Sequence, residues 1–276
     1  MEEREIKEIE TDLLLEAIVR LYGYDFRNYA RASLNRRIQQ AVDKTNCATI
    51  SDLTARIVRE PEFFQRVVAN FSITVTEMFR DPEFYKVLRE QVLPYLATYP
   101  FIKVWHAGCA TGEEAYSLAI MLEEEGLLER ATIYATDFNE DALENARAGI
   151  YPLEQMKQYG SNYRQAGGRG SLSEHYHAQY ESVIMEAKLR QSITFSRHNL
   201  TVDQVFGEMH LVLCRNVLIY FDRTLQGRVL RLFDDSLVNS GFLCLGSRES
   251  LRFSDTAAHF VEFVAKGKIY RKRTVP

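Results

Sequence analysis

No apolar run in this 276-residue chain approaches the length of a membrane-crossing helix, so no direct insertion into a bilayer is expected. Cysteine is sparse. Cys47, Cys109, Cys214 and Cys244 are scattered without C-x-x-C spacing, which predicts neither a disulfide framework nor a zinc site. Three of them fall in apolar strand-like runs or at a strand end, as expected of buried, reduced thiols in a cytoplasmic protein. The opening MEEREIKEIETD lacks the apolar core of a secretory signal. An excess of positive charge is also missing: 34 Lys and Arg stand against 38 Asp and Glu, and a net charge of −4 argues against a general nucleic-acid binder. There is no internal repeat or low-complexity tract. His175 and His177 form an H-Y-H alternation without a third ligand, so surface or aromatic packing is expected there and no metal.

What the chain does contain is concentrated in Phe101–Glu114, FIKVWHAGCATGEE. An apolar run ends in a glycine loop and a helix, EEAYSLAIML, begins at once; this order makes a nucleotide-cradling turn. Gly108 and Gly112 lack a Cβ, so the backbone there can bend sharply and approach a ligand closely. Glu113 and Glu114 at the helix start would repel a pyrophosphate but not a cationic or hydroxyl-rich ligand. The glycines are two, four apart, and do not form G-x-G-x-x-G. Both features lower the dinucleotide reading and raise one for S-adenosylmethionine, which carries a sulfonium, an ammonium and a ribose but no phosphate. One strand further on, ATIYATD ends in Asp137, placed to accept ribose hydroxyls beyond a carboxyl strand end; a loop acid or helix cap is the plainer alternative.

Residues 1–72 read as a helical N-terminal domain. Leu13, Leu14, Ala17, Ile18 and Leu21 form one apolar stripe, and Leu34, Ile38 and Val42 another. Ser51 is the expected N-cap of a helix, and Pro61 fits the first turn of the next. Residues 73–276 read as an α/β domain, because strands and helices alternate from about Phe101 in the manner of a mostly parallel sheet covered on both faces. The strands are FIKVWHAG, ATIYATD, SITFSRHN, HLVLCRN and GFLCLGS, with an antiparallel pair near Glu262–Val264 and Lys268–Arg271. An inserted subdomain is expected at about 151–192, where Gly167, Gly168 and Gly170 mark an exposed loop.

Further stretches converge on the glycine loop in such a fold. SITVTEMFRD carries Thr74, Thr76 and Arg80; SRHNLTVD carries Asn199 and Leu200; HLVLCRNVLIYFD carries Arg215, Asn216 and Tyr220. Taken singly, Arg215–Asn216 would be a turn and Tyr220 a core aromatic; as a set they fall at strand ends, where α/β enzymes hold ligands. The order T-x-M-F-R-D, AGCATGEEAYSLA, ATD, A-x-x-G-I-Y, HNL, CRNVLIYFD and GFLCLG resembles the chemotaxis receptor methyltransferase family, CheR, over essentially the whole chain. The resemblance implies a Rossmann-like, class I S-adenosylmethionine-dependent methyltransferase sheet with a helical N-terminal domain and a small inserted β-subdomain. It implies methyl transfer to glutamate side chains on a chemoreceptor's cytoplasmic helices, with S-adenosylhomocysteine as product, by a cytoplasmic monomer. It also implies cofactor roles for Thr76, Arg80, Glu114, Asp137, Asn199, Leu200, Arg215 and Asn216, and places Arg80 and Tyr220 nearest the transferred methyl. The family pattern N-x-T-x-F-F-R departs here at Thr74, which keeps a hydroxyl but not an amide fork, and at Met78.

A basic stretch with Arg27, Arg31, Arg36 and Arg37, against only Asp25 and Asp43, suits docking to an acidic helical partner; solvated helix charge is the alternative. Rival functions are a methyltransferase of this fold with another protein or small-molecule acceptor, a cofactor-sensing module without turnover, and a nicotinamide-dependent dehydrogenase. The last is disfavoured by Glu113–Glu114 and the missing glycine.

Overall fold

The computed structural model describes residues 3–68, 71, 74–252 and 254–274. It divides into two compact units, Met1–Ile73 with Ile219–Arg228, and Thr74–Leu218 with Val229–Pro276.

The first unit holds α1 (Glu3–Tyr22), α2 (Arg31–Lys44), α3 (Ile50–Arg59) and α4 (Pro61–Val68). The buried face of α1 is Thr11, Leu14, Leu15 and Ile18; Leu13 and Leu21 are 60% and 52% exposed, so the stripe is narrower than its sequence spacing implied. On α2 the expected Leu34, Ile38 and Val42 are buried. The N-cap of α3 is Thr49 rather than Ser51. Thr49 Oγ1 accepts the Asp52 N–H at 3.1 Å and the Asp52 carboxylate accepts the Thr49 N–H at 3.0 Å, a capping box that satisfies two amides at once. Ser51 instead donates through its hydroxyl to Glu10 at 2.6 Å. Pro61 opens α4, where its missing N–H costs nothing. Aromatic packing is dense, with Tyr22 stacked on Phe64 at 3.7 Å and Phe26 on Phe71 at 5.1 Å.

The second unit is built on a seven-stranded sheet. It opens with α5 (Pro82–Val87), a π-helical turn at Leu88–Val92 and α6 (Leu93–Leu96). Then follow β1 (Ile102–Ala107), α7 (Glu113–Glu124), β2 (Ala131–Asp137), α8 (Glu140–Ala148), β3 (Ile150–Pro152), α9 (Met156–Gln165), β4 (Tyr176–Gln179), β5 (Ser182–Met185) and α10 (Ala187–Ser192). The remainder is β6 (Ile193–Arg197), β7 (Met209–Cys214), α11 (Arg223–Ser236, whose first residues belong to the helical unit), β8 (Leu237–Leu245), β9 (Phe260–Val264) and β10 (Ile269–Lys272). The sheet order is β6-β2-β1-β7-β8-β10-β9; the first five strands run parallel, and β10 is antiparallel to both of its neighbours. Strand order reverses between β1 and β7, the switch point at which a crevice opens beyond the carboxyl ends. β1 is nearly all buried, as a strand covered on both faces must be.

Between β2 and β6 a second sheet, β3-β5-β4, is antiparallel. The glycine-rich loop beside it is tied down: Arg169 pairs with Glu125 at 2.7 Å, and the Gly170 N–H donates to Tyr163 Oη at 3.1 Å. His175 is buried 3.2 Å from a Glu123 oxygen, and His177 is exposed beside Glu186. Among the described residues no helix is long and apolar enough to cross a membrane.

Candidate active site

Three strand ends in the second unit build the site. After β1, the Gly108 and Cys109 N–H groups both donate to the Thr136 carbonyl, at 2.8 and 2.9 Å, which folds the glycine loop across the end of β2. Asp137 then fixes the loop's next residue. Its Oδ2 accepts the Ala110 N–H at 2.9 Å and its Oδ1 the Asn139 N–H at 3.0 Å. Burial raises the Asp137 pKa from its ordinary value, and these backbone donors oppose the rise. With a further backbone contribution from Phe138, the carboxylate's acceptor sites are mostly taken, and one remains for a hydroxyl donor. Gly112 caps α7 at φ 93°, where an added Cβ would sit 2.9 Å from Ala146 Cβ; at Gly108, φ 75°, it would sit 2.5 Å from Val217. Both glycines are therefore required by the protein's own packing as well as by their backbone conformation.

The first turn of α7 presents the two acids, and their electrostatics differ sharply. Glu114 is buried and paired with Arg215 Nη1; its other oxygen lies 3.4 Å from His106 Nε2. Burial works to raise its pKa, but the Arg215 charge and the His106 contact outweigh it and hold the carboxyl at about 2. Glu113, equally buried, forms no ion pair among the described residues. Burial raises it to about 7, while a 2.7 Å bond from Thr111 Oγ1 opposes the shift only partly.

Arg215, the first residue past β7, is the hub. Its Nη2 bonds Asp81 at 2.7 Å, its Nη1 reaches the Arg80 carbonyl at 3.3 Å, and its guanidinium lies 4.0 Å over the Phe84 ring. Burial opposes its charge and Glu114 more than offsets this, so its pKa stands above the ordinary arginine value. Asn216 follows at φ 61°, braced by its N–H to buried Glu249 at 3.2 Å. The Thr74–Asp81 segment is pinned by Ser117, which takes the Phe79 N–H at 2.9 Å, and by Asn162, which donates to the Met78 carbonyl at 3.0 Å. Phe79, Asp81, Ala110 and Asn216 all hold left-handed backbone, a concentration of strain typical of functional sites. Thr74 and Thr76 are half-buried in the irregular stretch before this turn. Past β6, Asn199 Oδ1 accepts from Thr201, and Leu200 is buried.

The sheet unit thus contains Thr74, Thr76, Arg80, Gly108, Glu114, Asp137, Asn199, Leu200, Arg215 and Asn216, whereas Tyr220 belongs to the helical unit. Three further participants carried no role in the sequence reading: His106, Asp81 and Glu249. His106 and Asp81 adjoin the glycine loop and Arg80 in sequence, but nothing local marks Glu249, which lies 33 residues past Asn216. The basic stretch is not one exposed face. Arg37 is 4% exposed, Arg27 pairs with Asp25 and Glu16, and Arg31 pairs with Asp12; of the four, Arg36 is exposed and makes no salt bridge among the described residues. The neutralising acids come largely from α1, which the local charge count left out.

The donor set discriminates among ligands. Arg215 is neutralised by Glu114 and Asp81, while Asp137 adds a further carboxylate, so the strand edge is acidic and does not suit a pyrophosphate. Two buried polar atoms on adjacent residues, Arg215 Nε and Asn216 Oδ1, meet no hydrogen-bond partner among the described residues. A ligand with both donors and acceptors and a cationic centre fits them. No group of His, Cys, Asp or Glu among the described residues is arranged to hold a metal.

A matching family model names the same kind of cofactor. Residues 74–266 match the model of the CheR methyltransferase SAM binding domain, and residues 9–72 that of the CheR methyltransferase all-alpha domain. A Pseudomonas putida protein named as a methyltransferase, Cher3, is 50% identical over 265 residues, 96% of this chain and 97% of its own. A chemotaxis protein methyltransferase of Listeria innocua is 29% identical over 250 residues, 89% of this chain and 92% of its own. Among solved structures, the N-methyltransferase NodS of Bradyrhizobium japonicum, in complex with S-adenosyl-L-homocysteine, aligns at 12% identity over 72% of this chain and 89% of its own, with a TM-score of 0.41. Two family models in tandem, together spanning most of the chain, lead to one conclusion: the chain belongs to the CheR family of S-adenosylmethionine-dependent methyltransferases.

Proposed function

We propose that the protein esterifies glutamate side chains on the cytoplasmic helices of a chemoreceptor. The reading is supported most by the tandem match to both CheR domains, together with relatives named as chemotaxis protein methyltransferases. When bound, S-adenosylmethionine supplies a methyl carbon already activated by a sulfonium. Glu114, Asp137, Arg215 and Asn216 would hold it, with Thr74, Thr76, Asn199 and Leu200 around it. A glutamate acceptor is ionised near pH 7, so no general base is needed. The protein's task is to orient the acceptor and keep water from it; orientation alone supplies roughly 7–11 kcal/mol.

Arg80 suits the acceptor end. Its side chain makes no ion pair among the described residues, in contrast to the neutralised Arg215, so its charge is available to an incoming carboxylate. Tyr220 is assigned by family resemblance as the second orienting group. Too firm a hold on the carboxylate would bind substrate as tightly as the transition state, so both residues position more than they bind. Arg36, exposed on α2, is the remaining candidate for docking to an acidic receptor helix.

The test is methyl transfer from labelled cofactor to a panel of receptor signalling domains, followed by peptide mapping. Base-labile label on glutamate is expected; base-stable label, or label only on other acceptors, would remove the glutamate assignment.

A further inference from the structure

Within the helical unit, Arg37 is buried, and no counter-ion meets it among the described residues. Its Nη1 donates to the Phe71 carbonyl, its Nε and Nη2 meet no acceptor, and no carboxylate forms an ion pair with it among the described residues. Burial pushes its pKa below the ordinary arginine value, yet a guanidinium keeps its charge in such settings. A buried, unpaired cation is costly. What it meets instead is an aromatic ring: Cζ lies 4.9 Å from the centroid of Tyr220.

The backbone around Tyr220 is fixed from the same unit. The Ala30 N–H donates to the Tyr220 carbonyl at 2.8 Å, the Asp222 N–H donates to the Asn28 carbonyl at 2.8 Å, and Phe221 packs on Tyr29 at 5.0 Å. These contacts set the Cα of Tyr220 but leave its side-chain torsions undetermined, and the guanidinium over its ring restrains them. We propose that Arg37 is a positioning residue for Tyr220. Its cation–π contact holds the phenol in one place, so Arg37 contributes to the chemistry through Tyr220 and not through receptor docking. The inference rests on the catalytic role proposed for Tyr220.

A double-mutant cycle tests it. Tyr220→Phe keeps the ring and the stacking but removes the hydroxyl. Arg37→Met in the wild-type background is expected to lower kcat about tenfold, the loss of a desolvated cation–π contact, with the Kd for S-adenosylhomocysteine within about twofold. In the Tyr220→Phe background the same change is expected to cost less than about twofold. Equal losses in both backgrounds would overturn the proposal, because a docking or purely structural role does not pass through the hydroxyl. A second readout needs no turnover. In protein labelled at tyrosine 13Cζ, the Tyr220 resonance is identified by its absence in Tyr220→Phe, and Arg37→Met is expected to move or broaden it; an unmoved resonance would also overturn the proposal. Should Arg37→Met not fold, Arg37→Lys, which keeps the charge and loses the plane, carries both comparisons. If the wild type transfers no methyl to receptor glutamate, the proposed function fails while the resonance still decides the role of Arg37.

Discussion

Replacing Glu113 by glutamine should flatten the dependence of stability on pH. Glu113 is buried with no ion pair among the described residues, and its carboxyl stands at about 7 in the folded protein, against 4.5 for the unfolded chain. The folded state therefore holds more protons than the unfolded state between those values, and stability falls as pH rises through that window. A shift of this size is worth roughly 3 kcal/mol at most, at 1.36 kcal/mol per unit. For a chain of this length that corresponds to roughly 5–10 °C in Tm. Glutamine keeps the acceptor for Thr111 Oγ1 and cannot ionise. Thermal melts of wild type and Glu113→Gln at pH 5, 6, 7 and 8 measure it. The difference should be smallest at pH 5 and widen in favour of the variant by pH 8. Parallel curves would refute the reasoning, since they would mean that Glu113 is solvated or paired in solution. Its neighbour has the opposite sign: Glu114, held at about 2, contributes stability above pH 4.5 that is lost as pH falls toward 2.

Other variants probe the strand edge. Arg215→Met leaves Glu114 buried without its cation and should destabilise the protein by about 3–5 kcal/mol in chemical denaturation; a change under about 1 kcal/mol would show the pair to be solvated. Asp137→Ala removes the acceptor for the Ala110 and Asn139 amides and should weaken S-adenosylhomocysteine binding by about 10–100-fold in calorimetry, the worth of a charge-assisted bond or two. Gly112→Ala should cost about 1–3 kcal/mol in stability, because the residue holds φ 93° and its Cβ would press on Ala146; an unchanged melting curve would mean that the loop relaxes freely. Tyr220→Phe should lower kcat more than it changes cofactor Kd, and unchanged turnover would remove Tyr220 from the mechanism.

The sheet was legible because each strand is an apolar run closed by a polar turn, and strand–helix alternation leaves few topologies besides a parallel one. The glycine loop and Asp137 could be read because their chemistry is local to strand ends. Partnership was less legible. Glu249 braces Asn216 across 33 residues, and Asp12 and Glu16 reach from α1 to neutralise Arg31 and Arg27. A count of charges along one helix omits the acids of its neighbour, which hides the pairing of Arg27 and Arg31; the burial of Arg37 is invisible to such a count for a different reason, since it depends on packing against Phe71 and Tyr220. The Thr49 cap was misplaced by two residues because any Ser or Thr ahead of an apolar run qualifies by type, and only the reciprocal Asp52 bond distinguishes them. The glycines were read for ligand approach, while Ala146 and Val217 fill the space each leaves. Tyr220 was read with the sheet from its place past β7, yet its backbone is held by Asn28, Tyr29 and Ala30.

A crystal structure with S-adenosylhomocysteine tests the cofactor seat most directly. The nucleoside should lie beyond the carboxyl ends of β1, β2 and β7, with its hydroxyls on Asp137 and its polar groups meeting Arg215 Nε or Asn216 Oδ1. Density elsewhere on the molecule, or a nucleoside that leaves Asp137 and Asn216 untouched, would contradict the account.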